Sequence, residues 1–408
     1  MLRYKILLFI IFIPLAFYTF WQSLRAFEFR YFLQRFAIYF GNTPKANGIW
    51  FHAASVGEVN AVIPLILKIQ ENHPDLPVTL SSNTISSAKV VKNQLPSAIT
   101  QLYFPLDYKW AIQRIIRFIK PKAVFIVETE FWPNLFTQLH KNNIPLEIIN
   151  GRISEKTLHT QKWLKNIYRQ ILPLATNIYT RSETDQLRFL TLGAKTEQTS
   201  VLGNIKFSAT SNQSVEAITF ERPYVLAAST RDDEEQLIVG AWLKSNHANH
   251  LLVIVPRHPQ RLSEIINQLR PLKVDIAIRS KNEPVTNKTD IYIADTIGEL
   301  KQFIAGSEFV LMGGSFVTKG GHNILEVAQM GKAVIFGPDM RSFTDEAKTF
   351  IEYNAGIQCE LADLAGTFTQ LLTNQYDRKN IENNAITLIT ENNNVEKYYS
   401  TISHYFPI

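Results

Sequence analysis

Cysteine is almost absent from this 408-residue sequence, which contains only Cys359. A single cysteine cannot form an intrachain disulfide, so the fold does not depend on one, and this fits a reducing compartment. The sequence also lacks Cys and His clusters with the spacing of a zinc site. It has no low-complexity tract and no short-period repeat. At this length one core is rarely enough, and two globular domains are expected.

Acidic residues are scarce in the first half of the chain. Residues 1–210 carry 12 Asp and Glu against 24 Lys and Arg, whereas residues 211–408 carry 24 against 18. A basic first half suggests an acidic partner, such as an anionic membrane, a nucleic acid or a phosphorylated substrate.

One stretch lacks charge altogether. Residues 6–21 are rich in Ile, Leu and Phe and are flanked by basic residues on both sides. This is slightly short of a spanning helix of ~20 residues, but residues 22–24 extend it. A cleaved signal peptide needs a small-residue cleavage site, and bulky aromatics stand there instead. The sequence therefore predicts a retained membrane anchor outside the α/β core.

The anchor segment as a whole is predicted to cover residues 1–40. Aromatic residues alternate with arginines over 21–40, which is typical of a segment resting on a membrane surface. The flanking charges leave its orientation open, so it is either single-pass or monotopic. A membrane partner is favoured over nucleic acid.

Beyond residue 40, apolar strand patterns alternate with helix patterns, which predicts parallel sheets covered by helices. A polar stretch at 208–214 coincides with the change in charge sign. We place a boundary there, between domains at 41–210 and 211–408. An interdomain cleft is the natural ligand site of such a pair.

The glycine-rich stretch 313–323 is the most informative one, because it joins an apolar strand to an apolar helix pattern. Its four glycines, among them Gly314 and Gly321, let a ligand approach the backbone closely. Ser315 and Asn323 are among its polar side chains, and the following helix start favours an anion. It is neither a Walker motif nor a Gly-x-Gly-x-x-Gly motif. We interpret it as a phosphate- or carboxylate-binding loop.

Charged residues follow two predicted strands of the first domain. Glu58 lies where a general base could act, but Ser55 three residues earlier also forms a capping-box signature, and both roles remain open. Glu128 and Glu130 follow the strand that ends at Val127, where helix N-terminal acidity is the alternative role. Lys206 lies after a strand near the boundary and is a weak signal alone.

The second domain offers its own candidates at strand ends. Arg257, in Pro256-Arg257-His258, could bind a phosphate or carboxylate with two hydrogen bonds. The corner at 295–299 could hold a base or ribose, or be an ordinary cap. Glu326, near Asn323, could accept a ribose hydroxyl pair, or be a helix N-terminal acid.

Five of these motifs occur in one order: 52–58, 128–134, 203–206, 255–259 and 313–323. Together they resemble 3-deoxy-D-manno-octulosonic acid (Kdo) transferase of lipopolysaccharide assembly over nearly the whole chain. The resemblance implies an α/β fold of GT-B type with two Rossmann-like domains. The first would bind the acceptor and the second the nucleotide sugar.

The same resemblance implies a CMP-Kdo donor, a lipid A precursor (lipid IVA) as acceptor, and no cofactor or metal. The enzyme would sit at the inner membrane, with its catalytic domains on the cytoplasmic side. Glu58 would be the catalytic base, with Glu128 and Lys206 stabilising the transition state. The implied donor site comprises Pro256, Arg257, Ile297, Gly298, Glu299, Asn323, Ile324, Leu325 and Glu326.

Two details of the second domain bear on this resemblance. The family often has Pro where Ile324 stands, and we expect only a small shift in the loop's exit, because Ile can continue a helix. No Asp-x-Asp pair stands at a predicted strand end of this domain. A donor with one phosphate makes metal-free, inverting transfer reasonable. The alternatives are a GT-B-type nucleotide-sugar epimerase and a non-catalytic, membrane-tethered protein that binds anionic lipid.

Overall fold

The computed structural model describes residues 2–207, 215–247 and 249–407. It forms two compact units, which comprise Met1–Ser208 with Asn393–Ile408, and Ala209–Asn392. The polar stretch at 208–214, where the sequence places a domain boundary, lies outside the described residues.

The first unit is built around a parallel sheet, as its strand and helix patterns predict. Its strands are β1 (Ile49–His52), β2 (Val78–Ser82), β3 (Thr100–Tyr103), β4 (Ala123–Val127), β5 (Leu146–Gly151), β6 (Asn177–Thr180) and β7 (Thr199–Val201). Its helices are α1 (Leu2–Arg25), α2 (Phe29–Arg35), α3 (Val56–Asn72), α4 (Ile85–Gln94), α5 (Lys109–Ile119), α6 (Pro133–Lys141), α7 (Glu155–Leu158), α8 (Lys162–Ile171) and α9 (Glu183–Thr191).

The described strands of this sheet lie in the order β3-β2-β1-β4-β5-β6-β7, all parallel. The order in which the strands are added reverses between β1 and β4, and open α/β sheets bind ligands at such a position. Strand β4 is buried on both faces, because Val124 and Phe125 point into two different apolar cores.

The second unit repeats this plan. Its strands are β8 (Tyr224–Thr230), β9 (Leu251–Pro256), β10 (Ile276–Ile278), β11 (Ile291–Ile293), β12 (Val310–Met312), β13 (Val334–Phe336) and β14 (Ile357–Gln358). Its helices are α10 (Glu234–Trp242), α11 (Leu262–Leu269), α12 (Leu300–Gly306), α13 (Leu325–Ala328), α14 (Thr344–Glu352), α15 (Leu364–Thr373) and α16 (Gln375–Glu391). Over the described residues the order is β10-β11-β9-β8-β12-β13-β14, which reverses between β8 and β12.

The C-terminal segment differs from the sequence prediction, which assigns it to the second domain. Helix α17 (Asn394–Ile402) packs on α3 and belongs to the first unit. Tyr398 is fully buried there, and its hydroxyl donates to Gly203 O at 3.0 Å. Tyr405 donates to the buried Glu147. These long-range contacts leave no signal in local sequence patterns.

The N-terminal segment also differs from the expectation of an anchor outside the core. Helix α2 and the residues after it pack into the first unit, where Tyr31, Phe36 and Phe40 are buried. The aromatic residues that alternate with arginines therefore partly face inward. Helix α1 is long and apolar enough to cross a membrane, with a mean hydropathy of 1.9 over its most apolar window.

Candidate active site

Glu58 lies in the first turn of α3, shortly after β1, and takes part in the predicted cap. Ser55 is the N-cap, and its hydroxyl accepts from Glu58 N at 3.2 Å and donates to Glu58 Oε1 at 3.0 Å. The other carboxylate oxygen accepts from Ala54 N at 2.7 Å. The cap fixes the side chain in place without removing its acid–base capacity.

The electrostatic surroundings of Glu58 suit a general base. Burial raises its pKa to about 7, and the negative charges of Glu128 and Glu130 add to this, against hydrogen bonds from Ala54 and Ser55. A carboxylate with a pKa near neutrality is a stronger base than an ordinary glutamate, and about half of it is deprotonated at pH 7.

Glu128 adopts a backbone conformation that non-glycine residues rarely use. Its φ is +60°, immediately after the end of β4. Such left-handed backbone costs free energy unless the surroundings hold it, and it concentrates at functional sites. Because β4 ends at Val127 and the backbone turns at Glu128, the alternation of side chains along the strand does not extend to Glu128 and Glu130.

Lys206 is the partner of Glu128. Its ammonium lies 2.8 Å from Glu128 Oε1, and both side chains are mostly buried. Sequence reasoning treats Lys206 alone as a weak signal, and the structure brings it to the carboxyl end of β4. This ion pair places one positive charge close to the carboxylates.

Asn150 is a residue that sequence reasoning misses. Its side-chain oxygen accepts from Ile205 N at 3.1 Å, and its amide lies 3.5 Å from Glu128 Oε1. Its own N–H donates to Tyr398 of α17 at 3.1 Å. Its position at the end of a predicted strand, before Gly151, is the signal that could have found it. Asn150 holds the Lys206 segment against Glu128.

Glu130 has a different environment from Glu58. Its carboxylate accepts from Trp132 Nε1 at 2.8 Å and Asn83 Nδ2 at 3.2 Å, and buried His52 lies 3.6 Å away. Burial alone would raise its pKa, but His52 and these hydrogen bonds outweigh burial and lower it. Glu130 therefore stays ionised, which suits a positioning role rather than proton transfer.

In the second unit the glycine-rich loop follows β12 and needs its glycines. Gly314 has φ +71° and Gly321 has φ +74°. A Cβ on Gly321 would lie 2.4 Å from Met340 Sδ, and one on Gly314 would lie 3.0 Å from the His322 ring. The loop is thus a fixed, tightly packed structure, although the helix after it, α13, spans only four residues. Its dipole adds little to anion binding.

Glu234, another residue that sequence reasoning misses, organises this loop. Its buried carboxylate accepts from Gly314 N at 2.6 Å and Phe316 N at 3.1 Å. Two of the loop's backbone N–H groups therefore already have a hydrogen-bond partner within the unit. The Ser315 side chain is also fully hydrogen-bonded within the unit, since its hydroxyl donates to Met312 O and accepts from Gly337 N at 2.8 Å.

Cationic side chains gather beside the loop at the ends of β8 and β9. Arg231 Nη1 lies 2.5 Å from His258 Nε2, and Arg257 is exposed next to His258. Burial lowers the pKa of His322 to about 4, helped by the charges of Arg257, Arg231 and His258. Such a concentration of positive charge suits a phosphate or carboxylate. Sequence reasoning misses Arg231, although it follows a strand as Arg257 does.

The remaining predicted donor residues fall into two groups. Ile297 is 89% exposed, Gly298 has φ +100°, and Glu299 pairs with Arg279 at 2.7 Å. Asn323 Oδ1 accepts from Leu325 N at 3.2 Å, and the Asn323 amide donates to Glu326 Oε1 at 3.2 Å. Pro256, Ile324 and Leu325, by contrast, are buried. Those three could offer a ligand backbone groups but not side chains.

Comparison with known proteins identifies the family of the chain. Residues 30–209 match the family model described as 3-deoxy-D-manno-octulosonic-acid transferase (kdotransferase). The Haemophilus influenzae 3-deoxy-D-manno-octulosonic acid transferase is 32% identical over 87% of this chain and 86% of its own length. The chain belongs to the Kdo transferase family. The Rickettsia prowazekii member is also 32% identical, over 88% of this chain and 80% of its own. The family assignment makes the chain a glycosyltransferase.

Solved structures support the GT-B-type fold. UDP-GlcNAc 2-epimerase from Neisseria meningitidis is similar with a TM-score of 0.60, 13% identity, and coverage of 88% of this chain and 100% of that one. Anabaena HepE in complex with UDP gives a TM-score of 0.54 and 14% identity, with coverage of 88% and 98%. At these identities the likeness concerns the fold alone.

Proposed function

We propose that this Kdo transferase moves Kdo from CMP-Kdo to a lipid A precursor, lipid IVA, at the cytoplasmic side of the inner membrane. The observation that carries the proposal is the group of Glu58, Glu128 and Lys206 at the carboxyl ends of β1 and β4. One carboxylate there has a near-neutral pKa, and an ion pair stands beside it. A hydroxyl nucleophile needs a base of this kind to take its proton and a nearby charge to stabilise the transition state.

In the proposed reaction an acceptor hydroxyl oxygen attacks the anomeric carbon of Kdo as the bond to the CMP phosphate breaks. The hydroxyl has a pKa far above 7, so its proton must leave during attack, and the Glu58 carboxylate takes it. Attack opposite the leaving group inverts the anomeric centre. Lys206, held by Glu128, would stabilise charge that develops in the transition state.

Leaving-group charge is the second requirement. The departing CMP carries phosphate charge, and Arg231 and Arg257 beside the glycine-rich loop would bind it. These cations motivate the proposal of metal-independent transfer. Asn323, Glu326 and the corner at Ile297–Glu299 would bind the rest of the nucleotide, as the family resemblance implies.

The acceptor and the membrane are proposed from a third set of observations. Lipid IVA is a phosphorylated, acylated disaccharide, and the first unit combines an apolar helix α1 with an excess of basic residues. An anchor raises the effective concentration of a membrane-borne acceptor. Glu58 and the Lys206–Glu128 pair argue against a protein that only binds lipid.

The test is release of CMP from CMP-Kdo, measured with and without lipid IVA in detergent. We expect release that depends on acceptor. An epimerase would convert the sugar nucleotide without any need for lipid, and a lipid-binding protein would release no CMP. Acceptor-independent turnover or no turnover by the folded protein would contradict the proposal.

A further inference from the structure

Helix α1 has two faces that differ in their contacts. One face turns to the rest of the first unit and is buried or half-buried at every step: Tyr4, Leu8, Ile11, Leu15, Thr19 and Ser23. The opposite face is exposed and apolar: Phe9, Ile10, Ile13, Phe17, Trp21 and Leu24. The helix contains no acidic residue, and basic residues stand at both of its ends.

The inward face is attached to the unit along the length of the helix. The Tyr4 hydroxyl donates to Asp107 Oδ2 at 2.8 Å, and Tyr108 donates to Leu8 O at 2.7 Å. Farther along, Phe12 meets the rings of Tyr108 and Phe36 edge-on at 5.4 and 5.7 Å.

The attachment at Tyr4 reaches the interior. Asp107 is only 2% exposed and also accepts from the N–H groups of Asn134 and Leu135, at 2.8 and 3.0 Å, at the start of α6. Tyr4 therefore completes the hydrogen bonds of a buried carboxylate. The amino end of α1 also shares a cavity of ≈ 470 Å³ with α8, in which Arg3 and Lys162 are both lining residues.

A spanning arrangement is incompatible with these contacts. A helix of 24 residues is ~36 Å long, and the hydrocarbon core is ~30 Å thick. Crossing it would carry Tyr4 and Ser23 to opposite sides of the bilayer. Both residues, however, are bonded to the same folded unit, Tyr4 to Asp107 and Ser23 to the Glu28 carbonyl. The charged Asp107 and Lys162 of that unit cannot enter hydrocarbon.

We infer that α1 docks flat in one leaflet of an anionic bilayer, as a monotopic helix, with the Phe9, Ile13, Phe17 and Leu24 face in the lipid. This rests on the proposed membrane attachment and defines its geometry. The face would insert ~5–10 Å, to the boundary between headgroups and acyl chains. Arg3, Lys5 and Arg25 then lie at headgroup level, where anionic lipids attract them.

Spin-label depth measurements test this geometry. In a Cys359→Ser background, cysteine would replace Phe9, Ile13, Phe17 or Leu24 one at a time, and each would carry a nitroxide. The full-length protein would be bound to vesicles of phosphatidylethanolamine and phosphatidylglycerol. Power saturation with oxygen and a nickel chelate then gives the depth of each label. A label at Tyr376, which is 74% exposed in the second unit, serves as the aqueous control.

We expect all four labels at one shallow depth, within a few Å of each other. A spanning helix would instead place Ile13 or Phe17 near the bilayer centre and Leu24 near a headgroup region, ~10–16 Å away along the helix, and that gradient would overturn the inference. Spin–spin broadening at Phe17 without insertion would assign the face to a second copy of the chain and overturn it too.

CMP release in detergent, measured on each labelled variant, separates this inference from the proposed reaction. Activity with a depth gradient contradicts the flat geometry alone. Activity without vesicle binding contradicts membrane attachment and the flat geometry together, and leaves the transfer reaction standing. Equal depths with normal vesicle binding, together with no activity in the unlabelled Cys359→Ser protein either, support the geometry and count against the assigned reaction.

Discussion

Lys206 Nζ lies 2.8 Å from Glu128 Oε1, although 78 positions of sequence separate the two residues. Glu128 reaches this contact from a left-handed backbone conformation, and Asn150 bonds to the segment that carries Lys206. The pair holds the Glu128 carboxylate near the proposed base, Glu58, whose pKa the Glu128 charge helps to raise.

Glu58→Gln should keep the fold and lose transfer. Gln can fill the capping position beside Ser55, but it cannot accept a proton, and the expected loss in kcat is about 10²–10⁴-fold. Glu183→Gln is the matched control, because Glu183 is an exposed acid in the first turn of α9. Near-normal kcat in Glu58→Gln at unchanged thermal stability would leave Glu58 with the capping role only.

The pH dependence of the wild-type enzyme follows from the raised pKa of Glu58. The base acts when deprotonated, so kcat should rise with pH through about 7, where its pKa lies. A profile that rises near pH 4.5 would mean that Glu58, with its raised pKa, is not the group that limits the rate. The profile is measured with saturating CMP-Kdo and acceptor.

Lys206→Met and Glu128→Gln should each lower kcat, by about 10²–10³-fold if the ammonium stabilises the transition state. The double variant should lose much less than the product of the two losses, because the residues act as one unit. Lys68→Met is the control, since Lys68 forms an ion pair with Glu396 at the surface of the same unit. Independent, multiplicative losses would argue against a shared role.

Arg231→Ala and Arg257→Ala should weaken CMP binding measured by calorimetry. Losing a hydrogen bond to a charged group costs about 1.5–3 kcal/mol, or roughly 10–150-fold in Kd. Lys301→Ala, an exposed position on α12, should leave the Kd unchanged. If neither arginine variant changes the Kd for CMP, the donor site lies elsewhere.

Tyr4→Phe should destabilise the protein in detergent by about 1–3 kcal/mol, because the buried Asp107 loses a donor. Tyr18→Phe should change stability by less than about 0.5 kcal/mol, since the Tyr18 hydroxyl accepts from Gln22 in a solvent-exposed contact. Deletion of residues 1–21 should destabilise the enzyme as well. The sequence interpretation of a separable anchor leads to the opposite expectation, and equal melting temperatures would support it.

The pattern of strands was predictable because parallel strands are short apolar runs followed by helix patterns. The two-residue strand β14 was not, since two residues carry no periodicity. Strand ends also predicted where Glu58, Glu128 and Arg257 lie. The roles of Glu234 and Asn150 could not be predicted from the sequence, because they depend on hydrogen bonds to segments 55 or more positions away.

The N- and C-terminal segments were the least predictable parts. Composition alone marks α1 as apolar, but it does not reveal that Tyr4 bonds to Asp107, 103 positions away. Likewise, nothing local marks α17 as part of the first unit, because its role depends on Tyr398 contacting Gly203. In both cases tertiary contacts, and not the change in charge along the chain, decide which unit the segment belongs to.

The most direct test of the central claim is mass spectrometry of lipid IVA after incubation with CMP-Kdo and the full-length enzyme. We predict a product heavier than the acceptor by whole Kdo units, formed by wild type and by Glu183→Gln but not by Glu58→Gln. Unchanged lipid IVA with the folded wild-type enzyme, or the same product from Glu58→Gln at the wild-type rate, would contradict it.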